Sequence, residues 1–90
     1  MKSIRKSKAF QRKLAKFQRN FGAVIRDLRI KANLSRTELA RRAKFSVGTL
    51  TKIEQGCGNP LLGKMENLAR ALDLRLSRIF KMAQDRGDKG

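Results

Sequence analysis

The sequence has 90 residues, enough for one small domain but not for an enzyme cleft beside a second domain. It contains 23 lysine and arginine residues against 7 acidic ones, for a formal net charge of +16. Such a positive field attracts polyanions, and nucleic acid is the commonest of them. An anionic membrane surface is the main competing partner. A merely soluble surface is disfavoured, because far less charge suffices for solubility.

Histidine is absent, and Cys57 is the only cysteine. The usual proton shuttle at neutral pH is therefore missing, and no set of residues typical of a zinc site is present. No paired nucleophile and base is visible, so we predict no catalytic residue, no metal, no cofactor and no enzymatic activity. A single thiol fits a reducing cytosol, and Cys57 is interpreted as a plain loop thiol rather than a redox sensor. No apolar run approaches the length of a membrane span.

The first segment, residues 1–20, is basic and lacks acidic residues. From about Ser7, its apolar residues recur every three or four positions and predict an amphipathic helix, which either breaks at Asn20 or Gly22 or continues into the next helix. Three roles stay open for this arm: binding DNA phosphates, joining a dimer interface or the core, and binding a membrane. A transit peptide is disfavoured because the stripe stays in phase with the next helix. The stripe consists of Phe10, Leu14, Phe17 and Phe21.

Two helices are predicted after this arm. The first covers residues 21–31 and stops near Asn33, since asparagine is the best residue after glycine for a left-handed stop. The second begins at Ser35, because Ser35 and Glu38 form the S-x-x-E pattern of a capping box ahead of an apolar run.

A third helix is predicted over residues 46–55, with Ser46 as its cap. Its Leu50 and Ile53 have the spacing of a core-facing side, and Ala40 on the preceding helix is small enough for a close crossing. Two short helices joined by a tight turn are typical of a helix-turn-helix.

The rest of the chain completes an all-α domain. Asn59 is predicted to cap the fourth helix, with Pro60 in its first turn. A fifth helix is expected over about residues 75–83, and the polar residues 84–90 are expected to form a flexible tail. The predicted organisation is thus the basic arm, a helix-turn-helix domain over residues 21–83, and the tail.

Several short motifs follow one another in a recognisable order: "IRDLR", "LSRTELA", S-x-x-T-L-x-K-I-E-Q-G, "NP", "MENLARALDL" and "IF". In this order they resemble the DNA-binding domain of the Cro/C1-type family, also called XRE or lambda-repressor-like, over residues 21–80. The resemblance implies a five-helix all-α domain, here with an additional basic amphipathic N-terminal helix or arm. It also implies a transcription regulator that binds inverted repeats as a dimer.

The resemblance further implies which residues face DNA. The third helix would enter the major groove, with Ser46, Val47, Gly48 and Lys52 towards the bases. Val47 can pack on a thymine methyl, and Gly48 lets the backbone come close. A base contact and a phosphate contact are equally favoured for Lys52. Backbone contacts are assigned to Arg36, Thr37, Lys44, Thr49, Thr51 and Asn59, and in the arm to Lys6, Arg12, Lys13 and Arg19.

Three positions depart from the family pattern, and one matches it. Arg36 stands where the family usually has glutamine, and can replace it as a charged donor to phosphate. Lys44 stands where a turn glycine is usual, at a cost of roughly a kilocalorie if φ is positive there. Leu61 stands where a serine cap is usual, and Asn59 is expected to substitute. Glu54 matches a structural glutamate that bonds the backbone or basic neighbours.

We therefore predict a cytoplasmic, nucleoid-associated regulator, most simply a repressor, that binds double-stranded DNA as a homodimer. An antitoxin with a toxin partner and a restriction-modification controller are alternatives within the same family. A low-specificity architectural DNA-binding protein is the alternative from another class, favoured by the charge and by the few hydrogen-bonding groups at the start of the third helix. No membrane partner is expected.

Overall fold

The computed structural model describes residues 8–89, and within them the chain forms five α-helices and no strand. The predicted all-α, five-helix class is confirmed. Lys6, one of the predicted arm contacts, lies outside the described residues. The helices are α1 (Lys8–Lys31), α2 (Arg36–Ala43), α3 (Val47–Glu54), α4 (Leu62–Ala71) and α5 (Leu76–Lys89).

The basic arm and the first domain helix form one continuous helix of 24 residues. The breaks considered at Asn20 and Gly22 do not occur. Gly22 has another role, because α1 crosses α3 there: a Cβ at Gly22 would lie 2.1 Å from the Ile53 carbonyl oxygen and 2.9 Å from that of Glu54. Glycine is therefore required by close packing between two backbones, and the helix tolerates its modest entropic cost.

The core is built from the apolar faces that helical periodicity predicts. All five helices contribute to it, and Ala40 and Ala43 on α2 are fully buried where neighbouring helices pack closely. The largest fully buried side chains are Phe21, Ile25, Leu39, Leu50, Leu68 and Ile79.

An aromatic cluster extends this core into the basic arm. The ring centroids of Phe17 and Phe21 are 6.1 Å apart, and Phe80 of α5 lies 5.7 Å from the first and 5.9 Å from the second. Aromatic pairs at such separations stabilise a fold beyond the area that they bury. The arm is thus attached to the domain from Phe17 onward.

The start of α2 carries half of the predicted capping box. The Ser35 side chain accepts a hydrogen bond from the Glu38 backbone N–H at 3.1 Å, as predicted. The Glu38 carboxylate does not accept from the Ser35 backbone N–H, as a complete capping box requires. It binds Arg41 and Arg42 of the same helix instead. The hydrogen bond from Arg41 is the main reason why the pKa of Glu38 lies below its usual value.

Asn33 has φ of 64°, which confirms the predicted left-handed stop after α1.

The predicted start of α4 is wrong. The helix begins at Leu62 and its N-cap is Leu61, which makes no side-chain capping bond. Asn59 lies two residues before the cap, too far to reach the second and third helical amides that a capping side chain binds. Its Oδ1 instead accepts a long hydrogen bond of 3.5 Å from Gln18 Nε2. Pro60 likewise precedes the helix.

The helix α5 continues six residues beyond the expected end at Ala83, so the polar residues expected to fray are helical through Lys89. The reason is the length of α1, which gives α5 a surface to follow. Arg86 donates to Asp27 at 3.0 Å, and a Cβ at Gly87 would lie 2.8 Å from the Asn20 amide nitrogen.

Candidate nucleic-acid interface

The helix α3 is held with one face in the core and the other in solvent. Ser46 caps it, because its Oγ accepts a hydrogen bond from the Thr49 N–H at 3.1 Å. Leu50 and Ile53 are buried, and the turn from α2 is closed by Lys44 in the left-handed conformation, with φ of 65°. Lys44 thus adopts the conformation that favours glycine, and the energetic cost expected there stays a prediction.

The exposed face of α3 contains the residues that were predicted to face DNA bases. Val47 is 39% exposed, and both Gly48 and Lys52 are exposed. A Cβ at Gly48 would meet no atom closer than 3.9 Å, so the surface there is open. At 100° per residue these three positions span an arc of about 140°. The structure therefore brings them together on one accessible surface.

The hydroxyl groups near the start of α3 already bind within the helix. Ser46 Oγ and Thr49 Oγ1 share a hydrogen bond of 2.8 Å, and the Thr51 hydroxyl donates to the Val47 carbonyl at 2.9 Å. A phosphate oxygen can only accept a hydrogen bond, so Thr51 would have to exchange the internal bond for an external one. The assigned DNA contacts of these three residues stay predictions. Thr51 competes with its internal bond, but in the bond between Ser46 and Thr49 only one hydroxyl donates, so the other keeps its O–H free.

Two residues that the sequence analysis did not single out lie beside this face. Gln55 is exposed and lies one turn beyond Thr51, within the same arc. Lys64 is half-buried and lines a cleft of about 220 Å³ between α3 and the start of α4, together with Thr49, Lys52 and Asn59. Helical periodicity alone could have identified Gln55, whereas Lys64 reaches the cleft only through the packing of α4.

The start of α2 presents Arg36 and Thr37, both exposed. The Arg36 Nε donates to a Glu54 carboxylate oxygen at 3.0 Å, and Arg29 Nε donates to the other oxygen at 2.7 Å. The prediction that Glu54 bonds basic neighbours is confirmed. Arg36 is thereby attached to the last residue of α3.

The basic part of α1, residues 8–19, adjoins the loop that follows α3. Gln18 Nε2 donates to the Gly58 carbonyl at 2.8 Å. A Cβ at Gly56 would come within 2.8 Å of both Cα and Cγ of Arg19, and Gly56 has φ of 75°, so glycine is required twice over. Arg19, one of the predicted arm contacts, therefore lies beside the loop that contains the predicted contact Asn59.

The cations of this part of α1 do not all face the same way. Arg12 and Arg19 are two turns apart and lie in one stripe with Lys8, whereas Lys13 is displaced by about 100° towards the apolar side. All of them are exposed.

Metal-binding clusters and membrane-spanning helices are not found in the described part of the chain. Between residues 8 and 89, no three side chains of the metal-binding types approach closely enough to hold an ion. None of the described helices combines the length and apolar character that crossing a membrane requires.

Comparisons with known proteins agree with this architecture. The fold is similar to two crystal structures of the clp gene regulator ClgR from Corynebacterium glutamicum, each 21% identical to this chain. One has a TM-score of 0.77 and an alignment covering 80% of this chain and 77% of that chain. The other has a TM-score of 0.73, covering 78% and 91%. At this identity the likeness concerns the fold alone. No curated protein matches the chain.

A family model described as a helix-turn-helix domain matches residues 20–78. The match covers α2 and α3 with their turn and begins at residue 20, so the basic part of α1 lies outside it. Together with the five-helix architecture, the match shows that the chain belongs to the helix-turn-helix domain family, in its XRE/Cro-C1-like group.

Proposed function

We propose that the protein is a sequence-specific transcriptional regulator that inserts α3 into the major groove of double-stranded DNA. The observation that carries this proposal is the exposed α3 face formed by Val47, Gly48 and Lys52. This face lies opposite the buried face of α3, and the helix itself is capped by Ser46. A major groove admits one α-helix, and the small residue Gly48 near the start of α3 lets the backbone approach the base edges closely.

The base contacts of such a helix are few. Val47 can pack against a thymine methyl group, Gly48 allows close backbone approach, and Lys52 can donate to guanine. Ser46 lies at the same end, with its hydroxyl used for the cap. Selectivity then depends also on DNA shape and on the spacing between two half-sites. This favours a homodimer on an inverted repeat, with repression as the simplest outcome.

Affinity would come mainly from phosphate contacts, since these supply most of the binding free energy of basic DNA-binding proteins. The net charge of +16 supports this. Such a protein would act by binding rather than by catalysis, and in the cytoplasm. The proposed backbone contacts within the described residues are Arg36, Thr37, Lys44, Thr49, Thr51, Asn59, Arg12, Lys13 and Arg19.

A low-specificity architectural protein is the second candidate, favoured by the same charge and by the absence of hydrogen-bonding side chains at Val47 and Gly48. Selection of bound sequences from random double-stranded DNA separates the two. We expect an enriched inverted repeat, because dimer geometry fixes the half-site spacing. Enrichment of no motif, with binding retained, would establish the architectural function instead.

The same selection repeated with Lys52→Ala tests how α3 reads the site. If Lys52 donates to a base, the preference at one position in each half-site should relax by about 1–3 kcal/mol. Equal weakening on all sequences would show that Lys52 contacts phosphate alone.

The basic part of α1 is expected to contribute to the salt dependence of binding. Replacing Lys8, Arg12 and Lys16 with glutamine keeps the helix and the aromatic cluster, which deletion of the arm would destroy by removing Phe17. The slope of log affinity against log salt should fall by roughly 0.9 per lost phosphate contact. The control replaces Arg75, directly before α5, and Arg78 and Lys81 on α5, which removes the same charge elsewhere. Equal slopes for both triple variants would show that the change in slope comes from net charge alone and not from phosphate contacts of α1.

A further inference from the structure

Three charged side chains from three helices meet where α1, α2 and α3 pack together. Glu54, the last residue of α3, has a side chain that is only 1% exposed. It accepts from Arg29 of α1 at 2.7 and 3.2 Å, and from the Nε of Arg36, the first residue of α2, at 3.0 Å. One buried carboxylate thus binds two guanidinium groups.

The two arginines use their donors differently. Arg29 is nearly buried, and all three of its nitrogens are engaged, since its Nη1 donates to the Leu34 carbonyl at 2.9 Å. The side chain of Arg36 is 44% exposed. Within residues 8–89 it donates from Nε alone, so both terminal nitrogens remain available as donors. Because Arg29 balances the charge of Glu54, Arg36 is the net positive charge of the trio at the surface.

We propose that Glu54 is a positioning residue that holds Arg36 as a preformed fork for a DNA phosphate. The proposal rests on the function proposed above and deepens it. Two parallel N–H groups of a guanidinium match the geometry of phosphate oxygens. A side chain fixed before binding loses less conformational entropy when it binds. Because Glu54 belongs to α3, the phosphate-binding group of Arg36 is attached directly to the recognition helix. The contact between Arg36 and phosphate then sets how deeply α3 lies in the groove.

The arrangement is specific to an arginine at this position. A glutamine, the residue type usual there in the resembled family, has no second pair of donors left once it binds a carboxylate through its amide. Arginine can bind Glu54 through Nε and still offer a charged pair of donors. Arginine in place of glutamine therefore changes a neutral contact with phosphate into an oriented ionic contact.

The test is a double-mutant cycle on DNA binding as a function of salt. Arg36→Gln is made in the natural protein and in a background carrying Arg29→Met and Glu54→Leu, which replaces both buried charges together. Glu54→Gln, which keeps a neutral acceptor, serves as a second background should the first fail to fold. Circular dichroism establishes that each protein is folded before affinity is measured on the selected operator.

In the natural protein, Arg36→Gln should weaken binding about tenfold, the size of one charge-assisted hydrogen bond, and lower the salt slope by roughly 0.9. In the background carrying Arg29→Met and Glu54→Leu, the same substitution should weaken binding only about twofold, because an untethered Arg36 is no longer oriented. In the Glu54→Gln background the loss should lie between these two values, because the amide oxygen accepts from Nε without a charge. Arg78→Gln on α5 is the control, and should have the same small effect in every background.

An equal loss from Arg36→Gln in all backgrounds would overturn the positioning role of Glu54. An unchanged salt slope in the natural protein would show that Arg36 does not contact phosphate. Neither result resembles failure of the proposed function itself, in which the natural protein would not bind DNA.

Discussion

Replacing Gly22 with alanine is expected to lower the free energy of unfolding by about 3 kcal/mol, at the upper end for an overpacked core site. The added Cβ would lie 2.1 Å from the Ile53 carbonyl oxygen and 2.9 Å from that of Glu54. Both are backbone atoms, so no side chain can rotate away, and α1 would have to move from α3. Urea denaturation followed by circular dichroism measures the loss.

The control for this variant is Gly63→Ala in α4. A Cβ there would meet nothing within 4 Å, so the substitution should change stability only through helix propensity, a gain of up to about 1 kcal/mol. A similar gain from Gly22→Ala would mean that α1 and α3 do not cross as closely as the structure places them. Because Glu54 and the α3 register depend on this crossing, a destabilised Gly22 variant should also bind DNA less tightly.

Features that depend on a few neighbouring residues could be predicted from the sequence. Ser35 and Ser46 cap the two central helices, because a serine side chain reaches the backbone N–H three residues ahead whatever the rest of the chain does. The core-facing side of each helix could likewise be predicted from helical periodicity, because this periodicity depends only on residues a few positions apart. The exposed face of α3 was predicted in turn, since burying Leu50 and Ile53 fixes which side of a short helix remains outside.

The features that were missed depend on contacts distant in sequence. Gly22 was considered as a helix break, and only the crossing with α3 shows why glycine is needed there. The α5 helix was expected to end near Ala83 because the residues that follow are polar. These residues gain contacts only when α1 lies beside them, and a local pattern cannot show that. The bond from Arg36 to Glu54 joins residues 18 positions apart. Family resemblance assigned each a separate role, and nothing local indicated that they touch.

Replacing Arg29 with methionine is expected to lower the free energy of unfolding by about 3–5 kcal/mol, the usual cost of removing one partner of a buried ion pair. Glu54 would keep its bond to Arg36 but lose the bonds at 2.7 and 3.2 Å, and the Leu34 carbonyl would lose its donor. Since small domains are stable by roughly 5–15 kcal/mol, this single change approaches the total.

Two further variants identify the cause of that loss. Adding Glu54→Leu to Arg29→Met should recover most of the stability, because replacing both members of a buried pair with apolar residues is often neutral. Arg41→Met removes an arginine of the exposed pair with Glu38 and should cost less than about 1 kcal/mol. Equal losses from Arg29→Met and Arg41→Met would contradict a buried network. If the double variant is stable yet binds DNA more weakly than the natural protein, the buried charges serve the orientation of Arg36 rather than the stability of the fold.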